Sequence, residues 1–161
     1  RPEEGEKAVD IYRAYYAVHG QDGCHVYAGV PEMLARLRAA GYVLCVATSK
    51  ARPVAERVLR GYGLLEAFDY LGGASLDASL DTKEAVIRHV LAQPCVQGRR
   101  AVMVGDRMDT DVISGMESGM STVLVLSGVS TRETLKTYAY RPSIVLDGVG
   151  DIAAMARREK A

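Results

Sequence analysis

The stretch Ala101-Val-Met-Val-Gly-Asp-Arg-Met-Asp-Thr-Asp-Val112 decides how this chain is read. Its first four residues, Ala101 to Val104, make the short unbroken apolar run of a strand buried on both faces in a parallel sheet. The run stops at Gly105, and three carboxylates follow closely: Asp106, Asp109 and Asp111. The crevice beyond the carboxyl ends of the strands is where an open α/β sheet binds its ligand. Carboxylates there suit Mg²⁺, which takes one or two of them and completes its shell with water and phosphate oxygens. The same residues can also be read as a polar loop whose Asp side chains cap the following helix. The remainder of the chain decides between the two.

Outward from this stretch, apolar runs alternate with helical stripes. Tyr42 to Ala47 is a second buried run, ending at Thr48-Ser49-Lys50. Phe68 to Leu71 is a weaker one before a Gly72-Gly73 turn, and Thr122–Leu126 and Ser143–Leu146 are two more. Between them, helices are predicted after Pro31 (Met33, Leu34, Leu37 and Ala40 on one face, Gly41 as stop) and from Pro53 (Val54, Val58 and Leu59 inward). Another opens at Asp81-Thr82-Lys83-Glu84, with Val86, Ile87, Val90 and Leu91 inward and either Asp81 or Thr82 as cap. A further helix starts near Thr110 and closes at Gly119. Ser130 with Glu133 fits a capping box for a short helix, and Asp151 caps a last one running out in Arg157–Lys160. Strands alternating with helices predict a parallel, right-handed, doubly wound α/β sheet.

Residues 2–19 read as a separate helix whose stripe of Ala8, Ile11, Tyr12, Tyr15 and Val18 is expected to be packing surface. The Gly20–Gly23 turn then divides 1–23 from a main domain at 24–161. Twenty basic residues balance twenty acidic ones among 161, which argues against a nucleic-acid surface. No apolar run reaches the roughly 20 residues of a membrane span, and the charged N-terminus has no signal-peptide core. His19, His25 and His89 have no partner at ligand spacing and read as surface residues. Cys24, Cys45 and Cys95 show no metal-ligand spacing, and Cys45 reads as a buried small hydrophobe; together they suggest a reduced, cytoplasmic protein.

In a parallel sheet, polar groups distant in sequence converge at one edge. Three candidates do so here: Thr48-Ser49, Lys83, and Asp106 to Asp111. A hydroxyl and neighbouring N–H groups can hold phosphate oxygens, a lysine supplies a point charge, and carboxylates hold a cation. Each has a plainer reading alone, Thr48 as a cap and Lys83 as a surface lysine; the ordered set is harder to dismiss.

This set resembles motifs II, III and IV of the haloacid-dehalogenase-like (HAD) phosphatases, over residues 26–150. The resemblance implies a three-layer Rossmann-like core with a parallel sheet at 24–161, and a remnant of an α-helical cap at 1–23. The first helix looks like the last cap helix of the phosphoglycolate phosphatase-like branch. Leu126-Ser-Gly-Val-Ser-Thr-Arg-Glu133 with Arg141-Pro142 is similar to the nitrophenylphosphatase-like branch. By the same resemblance Thr48 would bond the phosphoryl oxygens, Ser49 would add its N–H, and Lys83 would orient a nucleophile and stabilise charge. Asp106 would bind Mg²⁺ directly, and Asp111 would hold a metal-bound water or the loop. Asp109 stands at no family position and reads as loop solvation. The implied activity is Mg²⁺-dependent hydrolysis of a small phosphorylated metabolite, such as phosphoglycolate or a nucleotide, through an aspartyl-phosphate.

One motif is absent. The family's nucleophile sits in Asp-x-Asp-Gly-Thr after a strand, and no such motif occurs here. The family's sheet order places that strand between the runs at 43–47 and 101–104, so a hole is expected there. The expectation is that the nucleophile lies in a preceding segment of a longer protein or in a second chain, and that the 161 residues alone are inactive. The competing classes are a degenerate HAD-like scaffold that binds without catalysing and a receiver-like signalling domain. The second would need an acidic pair after the first strand and a lysine after a late one, and has neither.

Overall fold

Pro31, Pro53 and Thr82 open helices in the computed structural model, which describes residues 2–20, 24–75, 77 and 79–155. In chain order the elements are α1 (Pro2–His19), α2 (Val30–Ala39), β1 (Cys45–Ala51), α3 (Arg52–Gly61), β2 (Tyr70–Ala74), α4 (Lys83–Leu91) and β3 (Val102–Gly105). A wide π-type turn, Met108–Val112, leads into α5 (Ile113–Glu117). Then come β4 (Ser121–Val125), α6 (Arg132–Thr137), β5 (Ile144–Leu146) and α7 (Ile152–Met155). The alternation predicted from the sequence is present, and every strand pair is parallel. No helix of the described residues is long and apolar enough to cross a membrane.

The strands form two sheets, β1–β2 and β3–β4–β5. Helices bridge them: α4 packs on β1 and β2 and also touches α5, while α2 packs against α7. Val86, Val90 and Val96 form one core cluster, against which Cys45, Ala47 and Tyr70 pack. Met33, Leu34 and Leu37 of α2 form another with Ala153 of α7. Met108, Val112 and Leu124 anchor the third.

Several boundaries differ from the sequence reading, each for a local reason. β1 begins at Cys45 rather than Tyr42, because Asp69 takes both polar groups of Leu44: its N–H donates to Leu44 O at 2.7 Å, and its carboxylate accepts Leu44 N–H at 2.8 Å. Gly72-Gly73 is no turn but the middle of β2. A Cβ on Gly73 would stand 2.8 Å from both Lys50 O and Arg52 Cα, so the pair serves close packing and not chain reversal. Thr82, not Asp81, caps α4, accepting from Ala85 N–H at 3.1 Å. The box at α6 is Thr131 with Thr134, whereas Ser130 turns its hydroxyl to Met108 N–H at 3.3 Å. Asp151 stands inside a short 3₁₀ turn, where its carboxylate accepts Gly148 N–H at 3.1 Å.

Two burial expectations also change. The β3 run is covered on one side only: Met103 is buried, but Val102 and Val104 are 51 % and 38 % exposed, because β3 is the edge of its sheet. On α1 the stripe of Ile11, Tyr12, Tyr15 and Val18 is 63–72 % exposed instead of packed, because nothing among the described residues covers it. Cys45 is half-buried, and burial beside the Cys95 thiol pushes it up to about 11. His19, His25 and His89 are exposed, His89 accepting or donating a 2.8 Å bond with the Tyr70 hydroxyl. The Gln21–Gly23 boundary and the Arg157–Lys160 tail lie outside the described residues.

The crowding at Gly73 makes a prediction. Gly73→Ala meets backbone rather than a flexible side-chain end, so unfolding in urea should show a loss of about 1–3 kcal/mol. Gly148→Ala, with extended φ of −150° and open space around it, should stay within about 0.5 kcal/mol of the parent.

Candidate functional site

The ends of β1 and β3 meet through one side chain. Lys83 is the first residue of α4, directly after the Thr82 cap, and its stem reaches inward between the two sheets. Its ammonium donates to Ala47 O in β1 at 2.7 Å and pairs with Asp111 Oδ1 beyond β3 at 2.8 Å. Both side chains are almost out of solvent, at 15 % and 11 % exposed. At that burial each charge needs its partner, because an unpaired one would keep its desolvation cost.

Asp111 is fully committed within the protein. Its second oxygen, Oδ2, accepts the N–H groups of Asp106 and Arg107, both at 3.2 Å. Such a return of the chain is possible because Gly105 has no side chain, the space of its Cβ being filled by Asp111. The π-type turn completes the reversal, with Asp111 and Val112 N–H both donating to Arg107 O at 3.1 Å.

Asp106 is held from the other side by the loop after β4. Its Oδ2 accepts Val129 N–H at 2.8 Å, and its backbone oxygen accepts Ser130 N–H at 3.0 Å. Gly128 lies so close that a Cβ there would collide with the Asp106 carboxylate. Among the described residues Oδ1 of Asp106 accepts no hydrogen bond from the protein, and the side chain borders a cavity of about 210 Å³ lined also by Tyr27, Val30, Val104 and Val125. Asp109 points elsewhere, forked by the Arg107 guanidinium at 3.0 and 2.7 Å, which holds its carboxyl below the usual carboxylate range.

At the end of β1, the ladder with β2 is irregular between Thr48 and Ala51. There the Thr48 hydroxyl oxygen accepts Lys50 N–H at 3.1 Å, leaving its own proton to donate elsewhere. Of the residues singled out from sequence, Lys83 and Asp111 are thus in direct contact. Asp106 is tied to Asp111 through its backbone N–H, and Thr48 stands next to the carbonyl that Lys83 holds. Among the described residues no three His, Cys, Asp or Glu side chains converge as a metal cluster. With Asp111 saturated, Asp106 Oδ1 is the carboxylate oxygen of this loop that could hold a hard cation, whose remaining ligands would be water and phosphate oxygens. Val129 and Ser130, which clamp Asp106 and the π-type turn, are not singled out as site residues by the sequence; there they belong to the Leu126–Glu133 loop, with Ser130 read as a cap.

The Lys83–Asp111 pair gives a second prediction. Lys83→Met leaves Asp111 buried without its counter-charge and should cost about 2–4 kcal/mol in urea unfolding. Lys83→Met combined with Asp111→Asn should cost less than the two changes summed. Strict additivity would mean that the two groups do not act as a pair.

A family model described as HAD-hydrolase-like matches residues 82–152. The solved structure of a predicted phosphatase from Clostridium acetobutylicum superposes with a TM-score of 0.86 at 30 % identity, over 98 % of this chain and 72 % of its own. Tyrosine-protein kinase PtkA of Mycobacterium tuberculosis is 43 % identical over 123 residues, 76 % of this chain. A 5'-nucleotidase of Pseudomonas aeruginosa is 31 % identical over 132 residues, 82 % of this chain. The chain spans 42 % of the length of the kinase and 59 % of that of the nucleotidase.

Proposed function

This chain belongs to the HAD-like hydrolases, and on that footing we propose that it carries the phosphate- and Mg²⁺-handling half of a phosphomonoesterase acting on a small phosphorylated metabolite. One observation carries the reading: the Lys83 ammonium held between Ala47 O and Asp111, at the strand end that also bears Thr48. In this reading the Thr48 hydroxyl and the Ser49 N–H hold the phosphoryl oxygens, and Lys83 orients the attacking carboxylate and offsets charge as it builds. Asp106 offers Oδ1 to Mg²⁺, and Asp111 keeps the loop in shape. Bound Mg²⁺ would neutralise charge on the transferring group. Nothing in this assignment leaves a spare carboxylate for attack on phosphorus, since Asp111 is saturated and Asp109 is paired with Arg107.

The nucleophile is therefore assigned to a strand lying between β1 and β3, from a preceding segment or a second chain; its carboxylate would attack phosphorus and displace the substrate's alcohol, and water would then release phosphate from the aspartyl-phosphate. The separation of the two sheets and the exposed Val102 and Val104 on the edge of β3 support this placement. In the same scheme residues from 24 onward form the core, and α1 is part of a helical cap. A second reading, with a tyrosyl hydroxyl as phosphoryl acceptor in place of water, is favoured by the likeness to a relative named tyrosine-protein kinase.

The experiment is complementation. The 161-residue chain with Mg²⁺ should not turn over a generic phosphomonoester. Co-expression with a segment bearing Asp-x-Asp-Gly-Thr at the end of a strand should restore turnover, and Asp106→Ala should abolish it. Turnover by the chain alone that is lost in Asp106→Ala would sink the missing-strand assignment. Transfer of label from ATP to tyrosine, without release of phosphate, would select the kinase-like reading.

A further inference from the structure

Lys50 lies at the end of β1 and has no part in the proposed phosphate and Mg²⁺ handling. It follows Thr48 by two residues, and its N–H is the donor to the Thr48 hydroxyl. Its half-buried side chain runs back to α1, where the ammonium lies 4.6 Å from the centre of the Tyr16 ring and donates to the Tyr16 hydroxyl. No carboxylate pairs with it among the described residues. Other cations here are matched: Lys83 by Asp111, Arg107 by Asp109, Arg38 by Asp69 and Arg132 by Asp147.

The charges at the edge do not cancel at Lys50. Lys83 and Asp111 offset one another, and Asp106 would face the Mg²⁺ it is proposed to hold. The Tyr16 hydroxyl accepts from the ammonium but brings no negative charge, so the charge of Lys50 is not neutralised by a partner. Tyr16 also fixes a side chain that would otherwise spread over many rotamers, which lowers the entropy lost when an anion binds. A phosphoryl group on Thr48 and Lys83 would thus have a further cationic residue two places beyond Thr48, its side chain already held by Tyr16.

We propose that Lys50, aimed by Tyr16, is a specificity residue that takes a second anionic group, a carboxylate or another phosphate, on the organic part of the phosphorylated substrate. The proposal rests on the phosphoryl site described above. It also gives α1 a role in selecting the substrate, through one tyrosine that lies off the exposed apolar stripe.

Two phosphonates that cannot be hydrolysed separate this proposal from the reading beneath it. Methylphosphonate carries the phosphoryl-like group alone, and phosphonoacetate adds a carboxylate. Calorimetric titration of the protein in Mg²⁺ should give about tenfold tighter binding of phosphonoacetate. Lys50→Gln should bring the ratio close to one, Lys50→Arg should retain most of it, and Tyr16→Phe should lower it in part. Circular dichroism checks that the variants fold, and Tyr16→Phe carries the test should Lys50→Gln fail to. Equal binding by the parent, or a preference that survives the Lys50→Gln and Tyr16→Phe changes, overturns the proposal and leaves the phosphoryl site standing. If neither phosphonate binds, both fall.

Discussion

The site depends on a buried ammonium with two acceptors. Lys83 comes from a helix, Ala47 from one sheet and Asp111 from the loop of the other, and no backbone ladder joins those sheets. A lysine so placed loses its hydration, and only close, well-directed acceptors restore what is lost. The carbonyl at 2.7 Å and the carboxylate at 2.8 Å do so, and their positions thereby become coupled. Fixing one strand end fixes the other, a stricter constraint than the apolar packing of α4 alone could impose, because packed side chains tolerate small slips and a short ion pair does not.

That constraint divides the labour of the acidic loop. Asp111 gives one oxygen to Lys83 and the other to two backbone N–H groups, so it has become part of the scaffold. Asp106, five residues earlier, is clamped through one oxygen by Val129 and keeps the other unused by the protein. Two glycines make this possible by their missing side chains: Gly105 lets Asp111 fold back, and Gly128 lets the next loop close over Asp106. Two carboxylates of the same type, on the same turn, are separated in role by what their oxygens already bond.

Much of this was legible in the chain because it is local. A strand that stops at a glycine, a hydroxyl after another strand and a lysine beside a helix cap are adjacent-residue patterns, and the parallel sheets return them to one edge. What failed was set by groups far away in sequence. Gly72-Gly73 has the composition of a turn, yet the narrowness of Gly73 makes room for Lys50 in the strand it pairs with and for Arg52 at the start of α3, both distant in sequence. Ser130 has the spacing of a cap, but its hydroxyl is taken by Met108 across the molecule, so the neighbouring Thr131 caps instead. On α1 the periodic apolar stripe is exposed among the described residues, and Tyr16, outside the stripe, is in contact with Lys50. Periodicity reports which residues could share a face; it cannot report whether anything lies opposite.

The two sheets raise the same issue at a larger scale. Parallel strands are ordinarily buried on both faces and paired on both edges, because each open edge carries a row of unsatisfied N–H and C=O groups. Here β1 and β3 are both edges, and β3 presents Val102 and Val104 to solvent, yet their carboxyl ends are held in register by Lys83. In the proposed assembly the nucleophile strand would occupy the slot between these two edges, with the site at its floor. A strand entering it would satisfy both ladders at once. Its last residue would then arrive beside Thr48, Lys83 and Asp106. In that arrangement the order of events is set by the physics of the slot: the edge hydrogen bonds would place the strand first, and the charge of Lys83 would act on whatever carboxylate the strand delivered.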